Sequence, residues 1–396
     1  MRARGAIAFG VALVVFLVAG IYLGGHPSKL PTFAREAFTE EPTSLVGEAA
    51  EIIKDNYFRA VGDTELGNAS LQGMVRELRK KHKDRFSDYF SPESLEGFNQ
   101  EIEGRFSGIG LSVVGVKKGL HVVKVFHGSP AEAAAIEAGD TIVSVGGASI
   151  AGLDSTEATD KIKGPEGTEV TVGVLDPKTG KTTQKTLTRA EVELPNVSAH
   201  LFKTDGKRIG YVRLFSFSEE ASEQLAHGIE KVKKEGAEGL VLDLRENPGG
   251  LLEEAVDTAS LFLPESEVVV TTKSRTKGDS TKETGGGRIV KVPYDVLIDR
   301  GTASAAEILT AALQEDGGAT VVGTRSYGKG VFQEEHGLAN GGALKLTVGE
   351  YFTPDGENLA RTGGIHPEVK AVDDPRTGVD EARRKALETV AARVTG

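Results

Sequence analysis

The spacing of apolar positions changes character four times along this chain. Behind Arg2 and Arg4, Gly5 to Gly25 is an uncharged, mostly apolar stretch of about 20 residues, enough to cross a bilayer core. From Ser44 to Lys81 the period becomes helical, with Leu45, Ala49, Ile52 and Ile53 on one face and Leu71, Met74, Val75 and Leu78 on another. Residues 105 to about 176 carry short strand-like runs (Gly108–Val113, Leu120–Phe126, Gly139–Val145, Thr168–Val174) with two short helices, at Ser129–Ala134 and Leu153–Ile162. Beyond Glu191, strands at 208–214, 239–245, 294–298 and 320–322 alternate with helices at 219–234, 251–262 and 305–314, and a last helix at 379–394 closes the chain. That alternation predicts a multidomain α/β protein whose core is a mostly parallel sheet with helices on both faces. The predicted divisions are 1–25, an anchor or signal segment; 26–100, a linker and helical region; 101–180, a β-rich insert; and 181–396, the α/β core. Residues 273–287 read as a polar loop.

Charge and composition narrow the function. Flanking arginines stay inside by the positive-inside rule, so the body from His26 onward lies outside the cytoplasm, and the apolar run continuing through Ile21-Tyr-Leu23 favours an uncleaved anchor. Cleavage near Val18-Ala-Gly20 would release the same body as a secreted protein. A net charge of −11 argues against a nucleic-acid partner, and the absence of Cys excludes disulfides and thiol nucleophiles. No pair of His has metal-ligand spacing, so no metal or other cofactor is expected.

The candidate chemistry lies between Val292 and Gln333. Ser304 falls in the small-residue turn Gly301-Thr-Ala-Ser304, where the strand 294–298 passes into the helix 305–314. By itself Ser304 with Glu307 fits a capping box, and Lys329 fits a surface lysine in the glycine-rich Gly328-Lys-Gly330. Three decoys are rejected. Gly323 to Lys329 resembles a phosphate loop but has Gly330 where a metal-binding hydroxyl is needed. Ser326-x-x-Lys329 contains a glycine, and Ser274-x-x-Lys277 lies in the polar loop, so neither has the required helical turn.

Taken together, the motifs resemble the carboxy-terminal processing (tail-specific) protease family of serine peptidases. They are Phe106 to Leu111, Ile209-Gly-Tyr-Val212 with Phe215-Ser-Phe217, Leu242-Asp-Leu-Arg-Glu-Asn-Pro-Gly-Gly250, Gly301 to Ile308, Gly328 to Gln333 and Tyr351-Phe-Thr-Pro354. The insert looks like a PDZ domain, and the match runs over roughly 42–392. The resemblance implies a Ser304 nucleophile, a Lys329 general base supported by Gln333, and oxyanion contacts from Gly249, Gly250 and Ala305. It also implies that Gly108, Ile109, Gly110 and Leu111 hold a peptide C-terminus, with backbone N–H groups near the carboxylate. Where regulated members carry an Arg near the end of the second PDZ helix, this chain has Lys163, a point charge in place of a planar fork.

The expected partners are proteins or peptides with free C-termini, the membrane through the N-terminal segment, and a second copy through the helices of 44–81. One rival is a catalytically silent PDZ scaffold outside the cytoplasm. The other is a Ser304–His366–Asp hydrolase, although no G-x-S-x-G sequence surrounds Ser304.

Overall fold

The computed structural model describes residues 41–193, 196–374 and 376–394. The expected span at 5–25 and the linker lie outside the described residues, within which no helix is long and apolar enough to cross a membrane. The chain divides into two compact units, one running to Ser91 with Glu335–Leu346 added, the other comprising Pro92–Glu334 and Thr347–Gly396.

In the first unit the predicted helical region is two helices, α1 (Glu41–Asn56) and α2 (Asp63–His82), followed by strand β1 (Asp88–Phe90). Strand β1 pairs antiparallel with residues 343–345, and the Tyr89 phenol donates to Asn68 Oδ1 at 2.7 Å. Val75 is buried, whereas Leu45, Ile52, Phe58 and Met74 are more than half exposed. Among the described residues, this small unit therefore leaves most of its helical apolar face uncovered.

The second unit begins earlier than expected, at helix α3 (Pro92–Ile102). Strand β2 (Arg105–Gly108) leads into β3 (Leu111–Val116) and β4 (Gly119–Val125). Helix α4 (Pro130–Ala133), capped by the Ser129 side chain, precedes β5 (Thr141–Val145), β6 (Ala148–Ser149), helix α5 (Ser155–Ile162) and β7 (Glu169–Leu175). The β-rich insert does not close at 180. Strand β8 (Thr182–Thr188) pairs with β7 along its whole length, and β9 (Ala190–Glu193) pairs with β2. In β8 only Leu187 is buried, so the strand offers a polar edge run with no apolar alternation to read. Ile109, Leu120, Val122, Ile142 and Val172 fill the insert's own core.

The α/β core starts with β10 (Val197–Thr204) and β11 (Lys207–Leu214), then α6 (Ala221–Lys234), β12 (Gly239–Asp243) and α7 (Leu252–Ser260). Strand β13 (Val268–Ser274) forms a hairpin with β14 (Gly278–Glu283), so the stretch read as a polar loop contains a strand. Next come β15 (Tyr294–Ile298), α8 (Ala305–Glu315), β16 (Thr320–Gly323), β17 (Val331–Gly337) and β18 (Ala343–Phe352). A short α9 (Leu359–Thr362), β19 (Val369–Lys370) and α10 (Glu381–Ala391) complete the order.

One sheet runs β10-β11-β12-β15-β16-β19, antiparallel at β10–β11 and parallel at every later pair. Every residue of β12 and β15 is buried, as parallel strands covered on both faces must be. Leu225, Val256 and Leu309 of α6, α7 and α8 pack in one core, while α10 packs Ala386, Leu387 and Val390 on Val241, Leu297 and Val322. Helix α8 is buried from Ala305 to Leu313, which suits its good helix formers and nearly continuous apolar surface.

Candidate active site

Two turns leave the carboxyl ends of the neighbouring parallel strands β12 and β15, the place where open α/β sheets present ligands. They are laced together. Asp299 Oδ1 accepts from Glu246 N at 2.9 Å and from Gly301 N at 2.9 Å. Thr302 Oγ1 donates to Leu244 O at 2.8 Å, and Ala303 N donates to Asn247 O at 2.9 Å. The buried Asn247 side chain reaches Leu214 O with Nδ2 (3.0 Å) and takes Gly249 N on Oδ1 (2.9 Å). Asn247-Pro-Gly-Gly250 is thereby pressed against the serine turn: a Cβ on Gly249 would meet Ser304 Cβ and Ala305 N at 2.8 Å.

Ser304 itself has φ 56° and ψ −120°, a backbone conformation costing a non-glycine residue about 1–3 kcal/mol. The sequence lacks the familiar elbow motif, yet the strand-to-helix turn is bent as sharply as one. The expected capping box between Ser304 and Glu307 forms. In it, Glu307 Oε2 accepts from Ser304 N at 3.0 Å. A hydrogen bond to a charged acceptor contributes about 1.5–3 kcal/mol, enough to offset the strain. The Ser304 hydroxyl thus sits at the N-terminus of α8.

Glu307 is fully buried and collects four donors: Ser304 N, Lys329 N at 2.9 Å, Gly328 N at 2.7 Å and the Ser326 hydroxyl. Burial pushes its carboxyl above the ordinary range, and the Ser326, Lys329, Gly328 and Ser304 donors pull it back. Lys329 lies in the loop between β16 and β17, half-buried, with its main chain on the same oxygen as that of Ser304. Gln333 stands on β17, half-buried, its amide nitrogen 3.3 Å from Thr347 Oγ1. Tyr351 is buried with its phenol oxygen unpartnered. Burial and the Glu307 carboxylate push that phenol well above its usual range, and neighbouring Ser304 draws it down.

Three residues were expected to aim backbone donors at an oxyanion, and one is already engaged. Gly249 N is held by Asn247 Oδ1, so Gly249 serves the close approach of the two turns and not donation. Ala305 N, at the first position of α8, has no acceptor within its own helix, and no hydrogen bond among the described residues engages Gly250 N. The histidine rival finds no partner here. His366 is exposed with Nε2 3.3 Å from Thr362 O, and among the described residues no histidine bonds Ser304.

In the β-rich insert, Gly108 ends β2, Ile109-Gly110 turn, and Leu111 opens β3. These residues line a groove of about 820 Å³ with Ile162 and Lys163 at the end of α5 and Glu96 of α3. Gly110 has φ 80°, and a Cβ there would meet Ser129 Cβ at 2.1 Å, so only glycine fits. Arg189 Nε closes the helix end by donating to Ile162 O at 2.8 Å.

The profile of peptidase family S41 matches residues 208–371 and that of the PDZ domain matches 99–175. The carboxyl-terminal-processing protease of Synechocystis is 32% identical over 382 residues, covering 91% of this chain and 87% of its own length. The chain belongs to peptidase family S41.

Carboxy-terminal processing protease CtpA of Bacillus subtilis is 33% identical over 367 residues, 92% of this chain and 76% of that one. Among solved structures, the photosystem II D1 C-terminal processing protease aligns with TM-score 0.53 and 25% identity, covering 90% of this chain and 100% of that one. The protein is accordingly a serine-type peptidase of the carboxy-terminal processing kind, with a PDZ domain that binds peptide substrates.

Several residues around Ser304 and Lys329 are given no role in the candidate site by the sequence: Asn247, Thr302, Glu307, Ser326, Tyr351 and Asn358. Asn358 Nδ2 donates to Gly330 O at 2.8 Å and to Tyr351 O at 3.0 Å, tying the lysine loop to β18. For Glu307 a signal existed, since the Ser304-x-x-Glu307 spacing is what placed its carboxylate on Ser304 N. The spacing by itself implies capping alone, because three of the four donors to Glu307 come from residues 326–329, a segment no local rule connects to it.

Proposed function

We propose that this protein is an endopeptidase with a Ser304–Lys329 dyad that trims exported proteins whose unstructured C-termini enter its PDZ groove. The observation that carries the reading is Ser304. It has a strained turn, a hydroxyl at the N-terminus of α8, and a main chain joined to that of Lys329 through one carboxylate oxygen.

A serine hydroxyl needs a base to attack an amide. In the neutral form the Lys329 amine takes the Ser304 proton as Oγ bonds to the scissile carbonyl carbon. It then returns that proton to the departing amine as the C–N bond breaks. Water repeats the sequence on the acyl-enzyme and frees the new C-terminus. The neutral form requires the lysine pKa to fall from about 10.4, which desolvation by bound substrate can supply. Gln333 orients the amine without adding charge. Gly250 N and Ala305 N face the oxyanion, where one lost donor costs about 3–4 kcal/mol.

In the PDZ groove, main-chain N–H groups around Gly108–Leu111 receive the substrate carboxylate, and Lys163 adds a point charge. The 5–25 segment anchors the body outside the cytoplasm, which makes exported proteins the substrates. The uncovered apolar face of α1 and α2 is the surface by which a second copy would dock.

The decisive experiment is cleavage of unfolded casein by the full chain and by Ser304→Ala, Lys329→Ala and Lys329→Arg. All three variants should be inactive, the last because arginine does not surrender its proton. Cleavage surviving in Lys329→Ala would remove the dyad, and a wild type inert on every unfolded protein would leave a binding scaffold.

A further inference from the structure

We propose that Glu307 is a positioning residue of this peptidase, whose buried carboxylate sets the lysine loop in register with the serine turn. The inference rests on the Ser304–Lys329 reading.

A carboxylate three residues into a helix ordinarily serves the first turn of that helix. Glu307 does so through Ser304 N alone. Its other three donors, the Ser326 hydroxyl, Gly328 N and Lys329 N, come from residues 326–329. The bonds divide evenly: Oε1 takes Ser326 and Gly328, while Oε2 takes Ser304 and Lys329. Each oxygen accepts two hydrogen bonds and neither donates, so an ionised carboxylate satisfies the cluster.

The loop is tied elsewhere, by Ser326 N to Ile365 O at 3.2 Å, Tyr327 N to Thr302 O at 3.0 Å and Gly330 O to Asn358, but Gly328 N and Lys329 N both go to Glu307. Residues 324–330 form no helix or strand, and Gly328 has φ 87°. Ser326 braces the carboxylate from behind, since its hydroxyl donates to Glu307 and accepts from Ile365 N at 2.7 Å. An anion with no exposed surface is costly to bury unless fully hydrogen-bonded. Losing the Lys329 bond therefore penalises any loop position in which the lysine main chain leaves the serine turn. Small displacements of a catalytic base cost large factors in rate while leaving substrate affinity alone.

Glutamine divides the two halves of the cluster. Its carbonyl can occupy the Oε2 site and keep both Ser304 N and Lys329 N. Its NH2 group then faces Ser326, whose hydroxyl can turn from donor to acceptor, and Gly328 N, which cannot. Glu307→Gln should therefore retain part of what Glu307→Ala loses.

The test measures kcat and KM of the full chain on a quenched fluorogenic peptide derived from casein, with a thermal midpoint for each variant. Glu307→Ala is expected to lose at least about 100-fold in kcat with KM within about 2-fold. Glu307→Gln should fall between it and wild type, and Ser326→Ala should lose several-fold in kcat alone. If Glu307→Ala does not fold, the other two variants decide: lowered kcat at constant KM supports the proposal, and wild-type kcat in both overturns it. A folded Glu307→Ala with wild-type kcat, or equal loss in the Ala and Gln variants, also overturns it. Ser304→Ala and Lys329→Ala run alongside. Activity surviving in either refutes the dyad, whereas inactivity of both with an unaffected Glu307→Ala refutes only the positioning role.

Discussion

The main-chain amides of Ser304 and Lys329 meet on a single oxygen, Oε2 of Glu307, at 3.0 and 2.9 Å. The two residues are separated by helix α8 and strand β16, so nothing local brings them together. A buried carboxylate needs every donor it can find, and here the donors belong to the two segments that the proposed chemistry requires side by side.

Gly249 is the tightest point between the two turns. With φ 95° and a Cβ that would lie 2.7 Å from Ala303 O, Gly249→Ala should cost about 1–3 kcal/mol in stability and displace the serine turn. Chemical denaturation should show that loss together with a fall in casein cleavage exceeding 100-fold. Normal cleavage in this variant would mean that the close approach is packing only.

The unpartnered Tyr351 phenol is a buried polar group whose desolvation costs about 1–3 kcal/mol. Tyr351→Phe should therefore raise the thermal midpoint. Because the phenol neighbours Ser304, the same change should lower kcat several-fold. A rise in midpoint with full activity would confine Tyr351 to the core.

Asp295 on β15 is fully buried, and its contact with Arg393, just beyond α10, leaves Oδ2 without a partner. Burial raises its carboxyl to about 6, against the pull of Arg393. A carboxyl with a raised folded pKa holds its proton longer in the native state than in the unfolded chain. Its contribution is thus complete at acid pH and is lost as pH climbs from about 4 to 6, by up to about 3 kcal/mol. Urea unfolding of wild type and Asp295→Asn across that window should show the variant gaining on wild type as pH rises. Parallel pH curves would show that Asp295 stays ionised.

Arg189 holds the end of the PDZ helix α5 through Ile162 O at 2.8 Å and also reaches Thr168 Oγ1 at 2.8 Å. Arg189→Ala should fray that end, where Ile162 and Lys163 line the groove. Calorimetry with an apolar-ended peptide should register a several-fold weaker Kd, while labelling of Ser304 by a fluorophosphonate is unchanged. Unchanged peptide affinity would remove Arg189 from the groove's support.

Periodicity and turn chemistry along the chain determined most elements of the α/β core, the PDZ-like insert and the strand–turn–helix setting of Ser304. These are properties of neighbouring residues, so local rules reach them: β15 and α8 were legible from apolar runs and good helix formers. Strands β8 and β14 were not, because exposed edge residues carry no apolar alternation and acquire their pairing only from the strand beside them. Tertiary structure alone decided that Gly249 N is spent on Asn247, and that Glu307 joins the serine turn to the lysine loop. The physical reason is that a buried polar atom must be satisfied by whatever the fold brings within about 3 Å, and sequence separation does not enter that requirement.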